Sequence, residues 1–158
     1  MSDGFRETLA AWPSGVSVVT TNAEGQLYGL TVSSFSSLSF DPPLVLVCVA
    51  NENRLPAMVD RSGGFAVSIL ERSQEQASRY FARAGRTPSE HFMEIAGRHT
   101  ASGQPVIEGS LAWLTCRLRR AIPEGDHTIL IGEVLETYAG EGQPLLYWRR
   151  AYRSIGTP

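Results

Sequence analysis

Apolar residues in this chain recur mainly at alternate positions, in short runs separated by glycine, proline, asparagine and aspartate. Residues 111–122 show the pattern well, because apolar side chains at 112, 114, 116 and 118 alternate with others that include Arg117 and Arg119. Such alternation is typical of a strand with one face toward solvent. The other predicted strands are residues 15–21, 27–34, 44–49, 65–70, 127–138 and 145–148. Many strands at short spacing, with few helices between them, predict a mostly antiparallel β-barrel of the Greek-key or meander type.

Helical spacing of apolar residues predicts three helices. Residues 5–12 predict a first helix, and a short second helix is expected to begin at Pro56, a residue suited to a first helical turn. A third helix is predicted over residues 73–84, with Ser73 as its N-cap. Residues 85–104 are polar and irregular apart from a short helical stretch at 90–95, and long loops of this kind often act as lids or binding loops.

One stretch, residues 31–43, carries the strongest candidate chemistry, and we call it the hydroxyl-rich segment. Six of its thirteen residues are serine or threonine, and it runs into the apolar strand 44–49, which is long enough for a central buried strand. Buried hydroxyl groups need hydrogen-bond partners. A polar ligand such as a phosphate or a polyol would supply them, and so would the backbone of a serine-rich turn.

Composition narrows the function. The 158 residues are enough for one domain, residues 1–158, with a real core, and the net charge of -2 argues against a nucleic-acid partner. All 14 basic residues are arginine, which excludes lysine Schiff-base and P-loop chemistry, and the absence of a G-x-G-x-x-G motif excludes a Rossmann domain.

Cys48 and Cys116 lie in apolar runs and are expected to be buried free thiols. The three histidines lack zinc spacing, so no metal site is expected. Without a signal peptide or an apolar membrane span, no membrane association is expected and the cytoplasm is the default location.

An ordered set of short motifs runs along nearly the whole chain. The longest is residues 29–43, which read G-L-T-V-S-S-F-S-S-L-S-F-D-P-P. The others are Phe-Arg at 5–6, Pro-Ser-Gly-Val at 13–16, Val-Val-Thr-Thr at 18–21, Phe-Ala-Val at 65–67, Gly-Asp-His at 125–127 and Pro-Leu-Leu-Tyr at 144–147. Each piece alone is weak, but the set in this order resembles the short-chain flavin reductases, the reductase components of two-component flavin monooxygenases.

The resemblance implies a specific fold and activity. The expected fold is the FMN-binding split barrel, a Greek-key barrel that in this family forms a homodimer with flavin at the subunit interface. The expected activity is hydride transfer from NADH or NADPH to FMN or FAD, with the reduced flavin passing to a separate flavin-dependent oxygenase. Such transfer depends on stacking the two rings, so the absence of a catalytic triad or carboxylate pair is compatible with it.

The resemblance also assigns residues. His127, in the Gly-Asp-His motif, matches a position on the nicotinamide side of the flavin and is the catalytic candidate. The segment 31–34 would hold the flavin, 36–37 would form the turn beyond it, and Arg54 stands where the family commonly has serine or threonine at the flavin phosphate. An arginine can bind a phosphate through two hydrogen bonds, but it can equally be a solvated surface residue. The implied cofactor-binding residues are Thr31, Val32, Ser33, Ser34, Ser36, Ser37, Ala50, Asn51, Asn53, Arg54, Phe81, Ala82 and Tyr152.

Other functions remain open at this point. A flavin-binding protein without reductase turnover would share most of these residues, although the Gly-Asp-His motif favours the reductase. A split-barrel oxidase acting on its own substrate is disfavoured because such sites are rich in lysine and arginine and this chain has no lysine. A β-barrel interaction domain without a ligand is the least specific alternative, and the fold alone does not choose among them.

Overall fold

Strands dominate the computed structural model, which describes residues 3–83, 92 and 97–156. The helices among the described residues are α1 (Asp3–Ala10), α2 (Leu55–Ser62) and α3 (Glu75–Phe81), with a 3₁₀ turn (Arg72–Gln74) before α3. The helical stretch predicted at 90–95 lies outside the described residues except for Phe92. The strands are β1 (Ser14–Gly15), β2 (Ser17–Ala23), β3 (Gln26–Val32), β4 (Ser36–Phe40), β5 (Pro43–Ala50), β6 (Gly64–Ile69), β7 (Gly97–His99), β8 (Pro105–Ile107), β9 (Ala112–Glu124), β10 (His127–Ala139), β11 (Leu146–Trp148) and β12 (Ala151–Arg153).

Seven strands form one antiparallel sheet in the order β3-β2-β6-β9-β10-β5-β4. The first and sixth strands of this order meet just beyond the end of β3. There the Ser34 hydroxyl donates to the carbonyl of Cys48 in β5 (2.7 Å) and accepts from its N–H (3.1 Å). This pair of bonds ties β3 to β5 and so curls the sheet into a barrel. β1, β11 and β12 form a separate small sheet, and β7 pairs with β8.

The barrel interior holds the main core. Buried side chains from β2, β3, β5, β6, β9 and β10 pack there with Leu55, Met58 and Val59 of α2. Gly132 of β10 is needed for this packing, since a Cβ there would lie 2.6 Å from both the Cβ of Cys116 and the Cζ of Phe65. A glycine at this position therefore lets two strands and an aromatic ring approach closely.

The hydroxyl-rich segment differs from the prediction. Residues 36–37 were expected to form a turn, but they begin β4, an edge strand that pairs only with β5. β5 itself is not buried on both faces: Val45, Val47 and Val49 are buried, whereas the alternate side chains are half-buried. Strand 44–49 is therefore next to the edge of the sheet and not at its centre, because β4 is folded back onto it. Its Cys48 is half-buried for the same reason, not buried as expected.

The start of the third helix also differs. Glu71, and not Ser73, caps the 3₁₀ turn that leads into α3: the Glu71 carboxylate accepts from the Ser73 N–H (2.6 Å), and the Gln74 side chain accepts from the Glu71 N–H (3.0 Å). Gln74 stands at the N-cap of α3 itself and makes no side-chain cap bond. Glutamate is a poor N-cap by propensity, so the sequence favoured the serine. The Ser73 hydroxyl donates to the same carboxylate, and these bonds lower the pKa of Glu71.

Candidate active site

Two cavities meet at the end of β3. The smaller, which we call the tyrosine pocket, has a volume of about 200 Å³ and is lined by Val16, Thr31, Val32, Ser33, Ser78, Ala82, Tyr147 and Tyr152. The structure thus places five of the predicted cofactor-binding residues around one hollow, although they come from β3, the end of α3 and β12. Because these residues are far apart along the chain, local sequence pattern did not predict that they would lie together.

Ser78 organises the tyrosine pocket. Its hydroxyl shares a 2.7 Å hydrogen bond with the Tyr152 hydroxyl, and its carbonyl accepts from the Thr31 hydroxyl at 2.7 Å. The Tyr152 ring is further held by the Arg79 guanidinium, 4.8 Å from its centroid, and by an edge contact with Tyr147. The Thr31 and Tyr152 hydroxyls are therefore already bonded to the protein. Their side chains form a rigid wall of the pocket.

The larger cavity, which we call the arginine groove, has a volume of about 600 Å³. It lies between α1 and the β11–β12 hairpin, and it shares Ser33 and Tyr147 with the tyrosine pocket. Its lining combines hydroxyl groups, aromatic rings and cations: Arg6, Leu9, Ala10, Trp12, Ser14, Ser33, Ser34, Tyr147, Trp148, Arg149 and Arg150. Sequence reasoning did not include Arg6, Trp12 or Ser14 in the site, because only the packing of α1 against the hairpin brings them to Ser33.

Ser33 and Ser34 are neighbours in the hydroxyl-rich segment, but their hydroxyl groups have different hydrogen-bonding environments. Ser34 closes the barrel through both of its bonds to Cys48, so its hydroxyl is committed to the backbone. Ser33 is exposed, lines both cavities, and has no hydrogen-bond partner among the residues that the structure describes. Backbone bonding therefore accounts for the Ser34 hydroxyl, whereas it does not account for the Ser33 hydroxyl within the described part of the chain.

The Gly-Asp-His turn connects β9 to β10, and His127 opens β10 directly opposite Ala50, the last residue of β5. The His127 ring is exposed, and its Nδ1 lies 2.7 Å from the Asp126 carboxylate. A hydrogen bond from His127 lowers the pKa of Asp126, with the charge attraction between them adding to it. The carboxylate thus orients the ring, whose Nε2 has no partner within the described part of the chain.

Asn51 clamps this turn from the neighbouring strand end. Its backbone N–H donates to the Asp126 carbonyl (2.9 Å), its side-chain N–H donates to the Gly125 carbonyl (3.3 Å), and its side-chain oxygen accepts from the Thr128 hydroxyl (2.7 Å). Both polar atoms of the side chain are engaged by the turn, so the structure places Asn51 beside His127 as a support.

The remaining predicted residues are dispersed. The Asn53 side chain accepts from the Leu55 N–H (3.0 Å), the first N–H of α2, from the position just before the N-cap residue Arg54. Arg54 is exposed and pairs with no carboxylate of the described residues. Ser36 and Ser37 are exposed on β4 and line neither cavity. The Phe81 ring is fully buried against Tyr80 and Phe92, so it supports Ala82 from the core and does not face the pocket.

Two further observations concern the described residues only. None of their helices is long and apolar enough to cross a membrane, and no group of three or more of their His, Cys, Asp or Glu side chains is placed to hold a metal ion. Cys48 and Cys116 are unpaired, and burial raises the pKa of the Cys116 thiol to about 12.

Similarity to known proteins extends over the same residues. Residues 9–156 match the family described as Flavin reductase like domain. The chain is 40% identical to the reductase component of 4-hydroxyphenylacetate 3-monooxygenase from Thermus thermophilus, over all of this chain and 99% of that protein. It is 34% identical to an NADH-dependent flavin reductase from Rhodococcus sp, over 96% of this chain and 85% of that protein.

A solved structure agrees with these relatives. The chain superposes with a TM-score of 0.92 and 30% identity on BorF, the flavin reductase component of a bacterial two-component tryptophan halogenase, over the full length of both chains. This likeness confirms the predicted mostly-β split-barrel fold. From residue 9 to residue 156, the chain belongs to the flavin reductase-like domain family.

Proposed function

We propose that this chain is an NAD(P)H-dependent flavin reductase that supplies reduced FMN or FAD to a separate oxygenase. The observation that carries the proposal is the pair of adjoining cavities at Ser33, one walled by two tyrosines and the other by arginines and aromatic rings. The relatives' names agree: one is the reductase component of a monooxygenase, and another is an NADH-dependent flavin reductase.

The residues present fit a flavin. Its ribityl chain needs hydroxyl and backbone partners, which Ser33 and the end of β3 offer, and its ring needs flat apolar walls, which Tyr147 and Tyr152 offer. A bound flavin supplies the redox chemistry, accepting two electrons and a proton as a hydride from a dihydronicotinamide. The protein's part is to hold both ring systems in contact, and this requires no acid–base pair.

Ser33 and Ser34 allow the binding role to be separated from the structural role. We expect Ser33→Ala to weaken flavin binding by about 1–2 kcal/mol, through a lost hydrogen bond, with little change in thermal stability. Ser34→Ala removes both bonds to Cys48 and should lower the melting temperature of the ligand-free protein. Unchanged flavin affinity in Ser33→Ala, measured by fluorescence quenching, would remove this hydroxyl from the site.

His127 is proposed to serve the nicotinamide nucleotide. With Nδ1 bonded to Asp126, Nε2 remains for the carboxamide or a phosphate of the donor. Ala50 and Asn51 shape the same rim, and Arg54 is proposed for the flavin phosphate because its guanidinium is exposed and pairs with no described carboxylate.

A homodimer is proposed from the apolar face of α1. Phe5 and Leu9 are each more than half exposed, an arrangement that a second copy would bury. Light scattering should report twice the chain mass of 17.2 kDa, and a monomer mass at micromolar concentration would contradict the dimer. The two unpaired cysteines suit a reducing compartment, so a cytoplasmic location is proposed and can be checked by fractionation.

The activity is tested directly by following absorbance at 340 nm. Purified protein is mixed with NADH or NADPH and with FMN or FAD, and flavin-dependent loss of absorbance is expected with at least one pair. A protein that binds flavin but turns over neither nucleotide would be a flavin carrier and not a reductase. Adding an oxygenase that uses reduced flavin then tests whether the product is transferred.

A further inference from the structure

Two arginines form the tight turn between β11 and β12. Arg149 and Arg150 both have left-handed backbone conformations, with φ of 47° and 61°. Such turns normally use glycine, asparagine or aspartate, because other side chains are strained there. The two arginines therefore occupy a strained turn, which places two guanidinium groups close together at the surface. Backbone strain of this kind clusters at ligand sites.

The turn is fixed to the end of α1. The Arg149 N–H donates to the Ala10 carbonyl (3.0 Å), and the Trp148 indole N–H donates to the Ala11 carbonyl (3.0 Å). These bonds also occupy the C-terminal carbonyls of α1, whose partial negative charge would otherwise oppose an anion nearby. Arg149 lies over the Trp148 ring, 4.9 Å from its centroid, so the cationic turn is preorganised.

Every charged side chain that lines the arginine groove is an arginine. Arg6 lines it together with Arg149 and Arg150, no carboxylate lines it, and none of these three guanidinium groups is within ion-pairing distance of a carboxylate of the described residues. Glu7 lines a neighbouring hollow that Arg149 and Arg150 also border, but its carboxylate forms no ion pair with either arginine. Three clustered, unpaired cations in a chain of net charge -2 are complementary to a polyanion, and arginine binds phosphate oxygens through two parallel hydrogen bonds.

The rest of the lining suits a nucleoside. Trp12 is 77% exposed and makes no ring contact with another described residue, so its face is open to a purine, and stacking on such a face is favourable for any base. A volume of about 600 Å³ is within the range of small-ligand sites. Because the groove shares Ser33 and Tyr147 with the tyrosine pocket, a ligand can extend from one cavity into the other.

We propose that the arginine groove binds the diphosphate-linked adenosine half of a dinucleotide whose redox ring lies at the tyrosine pocket. The inference rests on the proposed function, because it is that function which places a flavin or nicotinamide ring there. Arg149 and Arg150 bind the diphosphate, Arg6 adds a third cation to the same groove, and Trp12 stacks on the adenine. The same chemistry belongs to NAD(P)H and to FAD, so the experiment distinguishes the two sources.

ADP-ribose is the first probe, because it carries the diphosphate and adenosine but no redox ring. Calorimetry measures its binding to the wild type and to the test variant Arg149→Gly/Arg150→Gly. The control variant is Arg61→Gln/Arg120→Gln, which removes the same charge from exposed sites on α2 and β9. Glycine suits a positive φ, so the test variant should fold at least as well as the wild type. We expect a loss of tenfold or more in the test variant and less than twofold in the control. Equal losses in both variants, or no binding to the wild type, would overturn the proposal.

The dinucleotide is then identified with truncated ligands. If NADH uses the groove, the test variant loses at least tenfold in kcat/KM for NADH but less than twofold for reduced nicotinamide mononucleotide. If FAD uses it, the Kd for FAD rises at least tenfold while that for FMN is unchanged. If the test variant loses affinity for all four ligands together, or dissociates into monomers, the turn has a structural role and the proposal is overturned. An inactive wild type that still binds ADP-ribose through Arg149 and Arg150 would refute the proposed reductase function and leave the groove assignment standing.

Discussion

The support that Asn51 gives to the Gly-Asp-His turn leads to a quantitative prediction. Asn51→Ala removes two side-chain hydrogen bonds, the 2.7 Å bond from Thr128 and the 3.3 Å bond to the Gly125 carbonyl. Thr128 is only 8% exposed, so its hydroxyl is left without a good replacement partner. The second bond is long and exposed and should contribute little. We therefore expect the free energy of unfolding to fall by about 1–2 kcal/mol.

That loss has a measurable thermal and kinetic counterpart. For a chain of this size it corresponds to a decrease in Tm of roughly 3–6 °C in calorimetry. Because the turn positions His127, kcat/KM for NADH should also fall, by roughly three- to tenfold, whereas flavin affinity should not change. Thr128→Val is the matched variant, since it removes the same hydroxyl and keeps the packing. In the double mutant the two stability losses should be coupled by about 1 kcal/mol, well above the scatter of independent sites.

Two results would refute this reasoning. Additive stability losses in the double mutant would mean that the Asn51–Thr128 bond does not stabilise the turn. A loss of flavin or nucleotide affinity without any loss of stability would mean that Asn51 contacts the ligand directly, as the family resemblance implied.

Three further predictions follow from single positions. His127→Ala should leave flavin affinity within about threefold, below ~1 kcal/mol, and lower kcat/KM for NADH by about ten- to a hundredfold; equal losses in both would make the ring structural. Gly132→Ala should destabilise the protein by about 1–3 kcal/mol in urea titration, because its Cβ would lie 2.6 Å from Phe65 and Cys116; an unchanged midpoint would show that the core yields. Burial raises the pKa of Cys116 from 9.0 to about 12, so the unfolded chain ionises first and stability is lost as pH rises from about 9 to 12, on the order of 1 kcal/mol per pH unit. In Cys116→Ala this loss of stability at high pH should be absent. If stability falls with pH in parallel in the variant and the wild type, the prediction is wrong.

Local pattern was sufficient for most of the strands. Alternation predicted β9 and β10, and the Gly-Asp pair between them predicted their hairpin, because both depend on residues close together in sequence. The ordered motifs predicted the family, which full-length relatives confirm. β4 was missed because its five residues include three serines and its pattern resembles a turn; it is a strand only because β5 lies beside it.

The division of work among the polar residues depended on tertiary structure. Ser33 and Ser34 are indistinguishable in the sequence, yet only Ser34 lies against Cys48, 14 residues away along the chain. Asn51 reaches Thr128 across 77 residues and Thr31 reaches the Ser78 carbonyl across 47, so their hydrogen bonds depend on how strands and helices pack rather than on any local preference. Sequence determined which residues carry hydrogen-bonding groups. Strand register and the packing of α1 and α3 decided which of those groups are satisfied by the protein and which remain for a ligand, because a partner's position is a property of the whole chain.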